Sequence, residues 1–210
     1  MTKQERAVRT RNRLIEAAAE LFHRDGFEMT SLAMVTARAR VSNGALHFHF
    51  ATKADLAQAV AEVAAARLGR IVDAGAGGGG WDRELQRLID VTHAFVRNLD
   101  SDVVLRAGFD LCSVRERAVA GANLWEAWHA WVRQALATAE TEGGLAPGIS
   151  AQDAAAAVVA VTVGFEALGA QDARWLSPDP LTRFWHLMLP ALAPAPERET
   201  LTAAGSAAVR

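Results

Sequence analysis

The sequence predicts an all-α protein of about nine helices, with an N-terminal three-helix head that carries a helix-turn-helix and a larger C-terminal helical domain. Three observations carry this prediction. Apolar residues recur at the three-to-four spacing of a helix along most of the 210 residues, with very little of the two-residue alternation of strands. The composition is alanine-rich, and 51% hydrophobic against 22% charged residues supplies a sizeable core. The segment from Thr30 to Lys53, TSLAMVTARARVSNGALHFHFATK, reads as a short helix, a tight turn and a second short helix.

Taken in order, the first helix is expected over Arg9–Asp25, with Leu14, Ala18, Leu21 and Phe22 as its inward stripe and Gly26 as its stop. Thr30 and Ser31 can cap a second helix whose Leu32, Val35 and Ala39 share one face. Val41 ends the turn, and Ser42 can cap the third helix. On that helix Leu46 and Phe50 stand four apart and point inward. Asn43, Gly44, His47 and Phe48 fill an arc of roughly 140° on the other side, at about 100° per residue, and this arc is the one that would face a major groove. A long helix from Lys53 to about Asp73 leads out of the head, and the run AGAGGGG (Ala74 to Gly80) breaks it. With no strand before it and no Lys-Ser/Thr after it, that glycine run reads as a flexible loop and not as a phosphate cradle. Further helices are expected near 82–99, 102–112, 121–142, 151–170 and 179–192, separated by Gly143-Gly144, Pro147-Gly148 and Ser177-Pro178. The expected division is a DNA-binding domain over 1–53, a larger helical domain over 54–193, to which a family resemblance assigns ligand binding and dimerisation, and a Pro/Ala-rich disordered tail over 194–210.

The net charge of −2 hides an asymmetry. Residues 1–53 hold nine Lys and Arg against five acids, so this end is basic and the remainder acidic. A basic end that also carries a helix-turn-helix points to double-stranded DNA as partner. No apolar run approaches the roughly 18 residues of a membrane span, and Met1 to Arg13 is too charged for a secretory signal, so a cytoplasmic protein with no membrane partner is expected. Cys112 is the only cysteine, which excludes an internal disulfide framework and a cysteine-built zinc site. His47 and His49, two apart on a helix, diverge by about 200° and do not share an ion easily. The other histidines lack ligand spacing, and no nucleophile elbow, paired-carboxylate motif or Walker sequence occurs, so no metal, cofactor or catalysis is expected.

Within the head, Arg9, Arg11 and Arg13 precede or open the first helix and Lys53 follows the reader, so all can reach phosphates flanking the groove. Asn43 can offer its amide to a base edge, Gly44 lets the backbone come close, and Phe48 can pack on a thymine methyl. The His47 ring can donate to phosphate or to a guanine edge, or simply face solvent. Thr30, Ser42 and His49, at the margins of the reader, complete the expected DNA-binding set.

The stretch VSNGALHFHFATKADLAQAV resembles the recognition-helix segment of the TetR (tetracycline-repressor) family, and its GALHFHF core is similar to the GALYFHF of that family's γ-butyrolactone receptor branch. VLRAG, at Val104 to Gly108, and the Trp-containing helix around Trp128 resemble the same branch. Three positions depart from the pattern: Arg40 where the family usually has Gly in the turn, His47 where it has Tyr, and Asn43 where the receptor branch usually has Lys. The resemblance implies a homodimeric repressor on a pseudo-palindromic operator, released by a small apolar effector of the γ-butyrolactone type. The alternatives are a sensor of an antibiotic or biosynthetic intermediate, and a constitutive DNA binder without a ligand.

For the second domain, helix 121–142 offers Leu124, Trp125, Trp128, Trp131, Val132 and Ala135 as a wide apolar face. These read as core and interface anchors, except that the place of Trp128 resembles that of the tryptophan lining the ligand cavity in γ-butyrolactone receptors. Helix 151–170 is apolar nearly all round and must be covered on both sides. The resemblance puts a ligand cavity on one side, with Val158, Thr162 and Phe165 beside Trp128, and a dimer partner on the other, with Val159, Val163, Phe184, Trp185 and Met188. Thr162 can serve a ligand or bond back to its own helix, and Glu166, if it faced the cavity, would favour a cationic ligand.

Overall fold

The computed structural model describes residues 2–77, 83–113 and 123–206, and among them every regular element is helical. In chain order they are α1 (Lys3–Asp25), α2 (Leu32–Ala39), α3 (Asn43–His49), α4 (Lys53–Gly77), α5 (Glu84–Ser101), α6 (Val103–Ser113), α7 (Leu124–Thr141), α8 (Ala151–Gly169), a 3-10 turn (Ala173–Leu176), α9 (Pro178–Leu192) and the one-turn α10 (Ala195–Arg198). The all-α expectation holds. α1 starts six residues earlier than the apolar stripe indicates, because Thr2 and Glu5 form a reciprocal capping box that carries the helix out beyond its buried part. α4 runs to Gly77, through the first part of the glycine run; Gly78 to Gly80 and the expected start of the seventh helix at 121–122 lie outside the described residues.

The chain divides into two compact units, and neither is one continuous segment. Unit 1 comprises Met1–Arg67 and Asp102–Trp125; unit 2 comprises Leu68–Ser101 and Glu126–Arg210. Unit 1 thus extends beyond residues 1–53 and takes in α6. In unit 1, α1 buries Leu14, Ile15, Ala18, Leu21 and Phe22 in one core with Val35 of α2, Leu46 of α3 and Phe50 at its end, Leu56 and Val60 of α4, and Val104, Ala107 and Leu111 of α6. α6 enters this core because Asp102 caps it, its Oδ1 accepting from the Val104 and Leu105 amides at 3.0 and 3.1 Å and also pairing with Arg67 of α4. Gly108, the last residue of the VLRAG stretch, has a physical reason to be glycine: a Cβ there would collide with the Ala64 methyl of α4.

In unit 2, α5 is the hub and packs against α8, α9 and the 3-10 turn. Its buried residues include Leu88, Ile89, Thr92, Phe95 and Leu99. Two indoles anchor it. Trp185 of α9 is fully buried and donates from Nε1 to Thr92 Oγ1 at 3.0 Å, while Thr92 donates onward to the Ile89 carbonyl at 2.7 Å. Trp128 of α7 is fully buried and stacks on Phe95, with centroids 4.2 Å apart.

The described part of the tail is not frayed. Gln86 of α5 holds the backbone of Thr202 on both sides, accepting its amide at 2.7 Å and donating to its carbonyl at 3.3 Å; Asp90 Oδ1 accepts the Ser206 amide at 2.7 Å, and His93 Nε2 lies 2.9 Å from the Ala203 carbonyl. Burial pushes the His93 pKa down, so the ring is neutral near pH 7 and carries its proton on Nε2 to meet that carbonyl. Composition suggested disorder here, but a strap that trades backbone hydrogen bonds with a helix needs little apolar surface of its own. α8 also differs from the expectation that no span-like run exists: by length and a mean hydropathy of 1.4 it could cross a membrane. Its Ala154, Ala155, Val158 and Phe165 are buried within unit 2.

Candidate functional site

Unit 1 presents one solvent-facing helix surface with unusual contents. Ser42 caps α3, its Oγ accepting the Ala45 amide at 3.2 Å, and Ser31 does the same for α2 at the Met34 amide. Capped at its start and pinned from behind by the buried Leu46 and Phe50, α3 turns Asn43, Gly44, His47 and Phe48 outward. Phe48 is 78% exposed, a large apolar ring left in water, with only the edge of His49 against it at 5.0 Å. A Cβ on Gly44 would meet nothing within 4 Å, so the protein itself does not require glycine there. Asn43 Oδ1 lies 3.1 Å from the buried Thr36 hydroxyl of α2, which also donates to the Ala33 carbonyl at 2.9 Å. This contact orients the amide.

Several expected DNA contacts have other tasks in unit 1. Lys53 Nζ donates to the carbonyls of Phe27, Glu28 and Thr30 at 2.8, 3.2 and 3.0 Å and sits 4.4 Å from the centre of the Phe27 ring. It ties the start of α4 to the loop after α1, where three converging carbonyls need a cation more than a distant phosphate does. Thr30 is buried and donates to the Gly26 carbonyl at 2.9 Å, and Ser31, not Thr30, caps α2. Arg11 lies over the Phe50 ring at 5.4 Å, and Arg13 caps the C-terminus of α2 by donating to the Ala39 carbonyl at 2.6 Å. His49 is half-buried between the rings of Phe48 and Phe50. Arg9 is exposed on α1. Arg40, in the turn, has φ 53° and ψ 51°, the left-handed conformation that glycine adopts without strain and that costs other residues roughly 1 kcal/mol.

In unit 2 the ligand candidates fall into two places. Trp128 and Thr162 are both fully buried and meet: the indole Nε1 donates to Thr162 Oγ1 at 2.9 Å. The indole lies between Phe95 and Trp131, at 4.2 and 5.4 Å between centroids. The Thr162 hydroxyl donates back to its own helix, with the Val158 and Val159 carbonyls each at 3.0 Å, which is the second of the two alternatives that the sequence leaves open for this residue. Phe165 instead faces Trp175 at 6.2 Å, beside a groove of about 960 Å³. Thr92 and Phe95 were not singled out from the sequence; a threonine interrupting the apolar stripe of α5 was the available signal.

That groove runs between α8 and α9. Ala160, Val161, Gly164 and Leu168 line it from α8, and Pro180, Arg183, Phe184 and Leu187 from α9. Leu187 is 78% exposed. Phe184 and Met188 are half-buried on α9; Val159 and Val163, half-buried on α8, are not among the residues that line the groove. Trp185 was expected at a dimer interface, but the structure buries it in the core of unit 2, where its indole N–H needs and finds Thr92.

The Lys53 geometry makes a direct prediction. Lys53→Ala removes three charge-assisted hydrogen bonds and should destabilise the protein by roughly 2–4 kcal/mol, read as a lowered urea midpoint. The salt dependence of DNA binding by the protein that remains folded should stay that of the wild type.

Comparison with known proteins agrees with this geometry. The model of the family described as "Bacterial regulatory proteins, tetR family" matches residues 14–60, the stretch from the middle of α1 into α4. The chain is 29% identical over 197 residues to the A-factor receptor protein of Streptomyces griseus, covering 92% of this chain and 67% of that protein. A γ-butyrolactone receptor described as ArpA-like superposes with a TM-score of 0.82 at 30% identity, covering 95% of this chain and 96% of the other. CprB from Streptomyces coelicolor, solved in complex with its operator sequence, superposes with a TM-score of 0.77 at 30% identity over 92% and 93% of the two chains. With a capped and outward-turned α3, an all-helical fold and solved relatives at 30% identity that match nearly end to end, the chain belongs to the TetR family of transcriptional regulators and is closely related to the γ-butyrolactone receptors.

Proposed function

We propose that the protein is a homodimeric repressor that occupies a pseudo-palindromic operator and leaves it when a small apolar effector of the γ-butyrolactone type enters unit 2. The observation that carries the DNA half is the outward face of α3, where Gly44, His47 and Phe48 serve no packing need and Asn43 is oriented by Thr36, while Leu46 and Phe50 hold the helix from behind. Asn43 reads a base edge, Gly44 admits the sugar-phosphate backbone, Phe48 covers a thymine methyl and His47 donates to phosphate or guanine. Ser42, through its cap, places the first turn of α3, and Arg9 adds a phosphate contact. Such a protein works in the cytoplasm, where the DNA is, and does no chemistry of its own.

The effector half rests on Trp128. Its indole is stacked with Phe95 and Trp131, so it meets an effector with its N–H edge, and that N–H is held by a threonine that can release it without being orphaned, since Thr162 already donates to its own helix. An effector carbonyl can therefore take the indole proton in exchange for Thr162. Val158 belongs with Thr162; Phe165, beside Trp175, belongs to the groove. A ligand that prefers one arrangement of the dimer weakens the operator by the ratio of its two affinities, and α4, unbroken through Arg67 and Leu68, is one of the three places where the chain passes from one unit to the other. The dimer face is the α8–α9 groove with Phe184 and Met188 at its margin, since a solvent-exposed leucine beside half-buried aromatics is apolar surface in search of a cover.

Three measurements test this reading. Asn43→Ala should cost about 1–3 kcal/mol on the sequence selected by the wild type from a random pool, with much less effect on unrelated duplex; equal losses on both would place the wrong residue in the groove. Leu187→Glu should convert a sedimenting dimer into monomer and abolish operator binding, while helix content is unchanged. Trp128→Phe, which keeps the stack and deletes the donor, should weaken effector-driven release about tenfold, the equivalent of one hydrogen bond, with operator affinity unchanged. A wild type that no lactone or antibiotic releases is a constitutive binder.

A further inference from the structure

The geometry points to Arg40 as an operator-backbone contact: its guanidinium binds a DNA phosphate at the edge of the groove that α3 enters, and the strained turn is retained for that contact. This rests on the DNA-binding reading of unit 1. Arg40 is the one described non-glycine residue with positive φ, at a turn where glycine would fit without strain. Inside the protein its side chain earns nothing. The side chain is exposed and, among the described residues, makes no hydrogen bond, ion pair or ring contact, whereas nearby cations are engaged: Arg38 with Glu20 at 2.5 Å, Arg13 with the Ala39 carbonyl, Lys53 with three carbonyls. Glu16 and Glu20 line the same shallow surface as Arg40, yet neither is paired with it. Among the described residues of α1 to α4 within unit 1, the cations left over are Lys3, Arg6 and Arg9 on α1, Arg40 in the turn, and none on α2 or α3.

Position supports the assignment. Arg40 lies two residues before the cap Ser42 and three before Asn43, so its Cα is within about 11 Å of that of Asn43. An arginine side chain covers most of that span. A major groove is about 12 Å wide, so with the first turn of α3 inside it, a guanidinium starting from the turn falls on the phosphate wall. A contact of this kind fixes register without reading sequence. It also accounts for why a residue that costs stability stands where glycine would not.

The test uses the full-length protein and a labelled duplex of about 30 base pairs of fixed arbitrary sequence, titrated by fluorescence anisotropy over roughly 50–300 mM salt. Arg40→Gly should melt a few degrees higher than the wild type, because the strain is relieved, and yet bind DNA more weakly. For a dimer the slope of log affinity against log salt should fall in magnitude by about 2, close to 0.9 per lost phosphate contact. Arg40→Gln, which keeps the strain and loses the charge, should show the same loss of slope without the rise in melting temperature. Arg40→Lys should keep the slope. If Arg40→Gly and Arg40→Gln both retain the wild-type slope, the assignment is wrong and Arg40 is only a strained surface residue. A wild type that shows no salt-dependent binding overturns the DNA-binding reading itself, an outcome distinct from the first.

Discussion

Burial of the apolar stripe of α1 is the constraint on which the reading head depends. Leu14, Ala18, Leu21 and Phe22 form a continuous strip, and α2, α3, the start of α4 and α6 each present residues to it. Neither α2 nor α3 is stable alone: they have eight and seven residues, well under the roughly 12–15 at which an isolated helix becomes even marginal in water. Their existence as helices is a tertiary effect. The surface that faces outward on α3 is therefore set by what α1 holds on its inner side, and α6 contributes because Gly108 brings its backbone against α4.

Much of this was legible in the sequence. The helix-turn-helix showed itself through Ser31 and Ser42, the two N-caps, and through the four-residue spacing of Leu46 and Phe50, because capping and periodicity are local properties of the chain. The arc of Asn43, Gly44, His47 and Phe48 followed from the same spacing. Other features depended on partners distant in sequence. Lys53 looked like a phosphate contact because a lysine after a recognition helix is an available cation; three carbonyls 23 to 26 residues away claim it. Trp185 looked like interface because it lies among apolar residues near the C-terminus, and only Thr92, 93 residues earlier, shows that it is core. The second segment of unit 1, with Asp102 as its cap, could not be found by any reading that takes the chain in order.

The two indole–threonine pairs in unit 2 share one chemical solution. A buried Trp must place its N–H on an acceptor, and a threonine in a helix can accept it while its own proton goes to a carbonyl three or four residues back. Thr92 does this for Trp185 and Thr162 for Trp128. The surroundings differ: one indole joins α9 to the hub, while the other lies in a stack of three aromatic rings.

The strap over α5 bears on how the chain comes to be folded. Gln86, Asp90 and His93 obtain partners from Thr202, Ala203 and Ser206, 110 to 116 residues later. A chain emerging N-terminus first at about 5–20 residues per second can assemble the described helices of unit 1 once α6 has been made, but the polar face of α5 waits several more seconds for its partners. During that interval a carboxylate and an imidazole destined for the interior remain hydrated, and α5 has no finished surface on that side. The head thus matures before the unit that would govern it, and a nascent regulator passes through a stage in which it has its reader but not yet its switch.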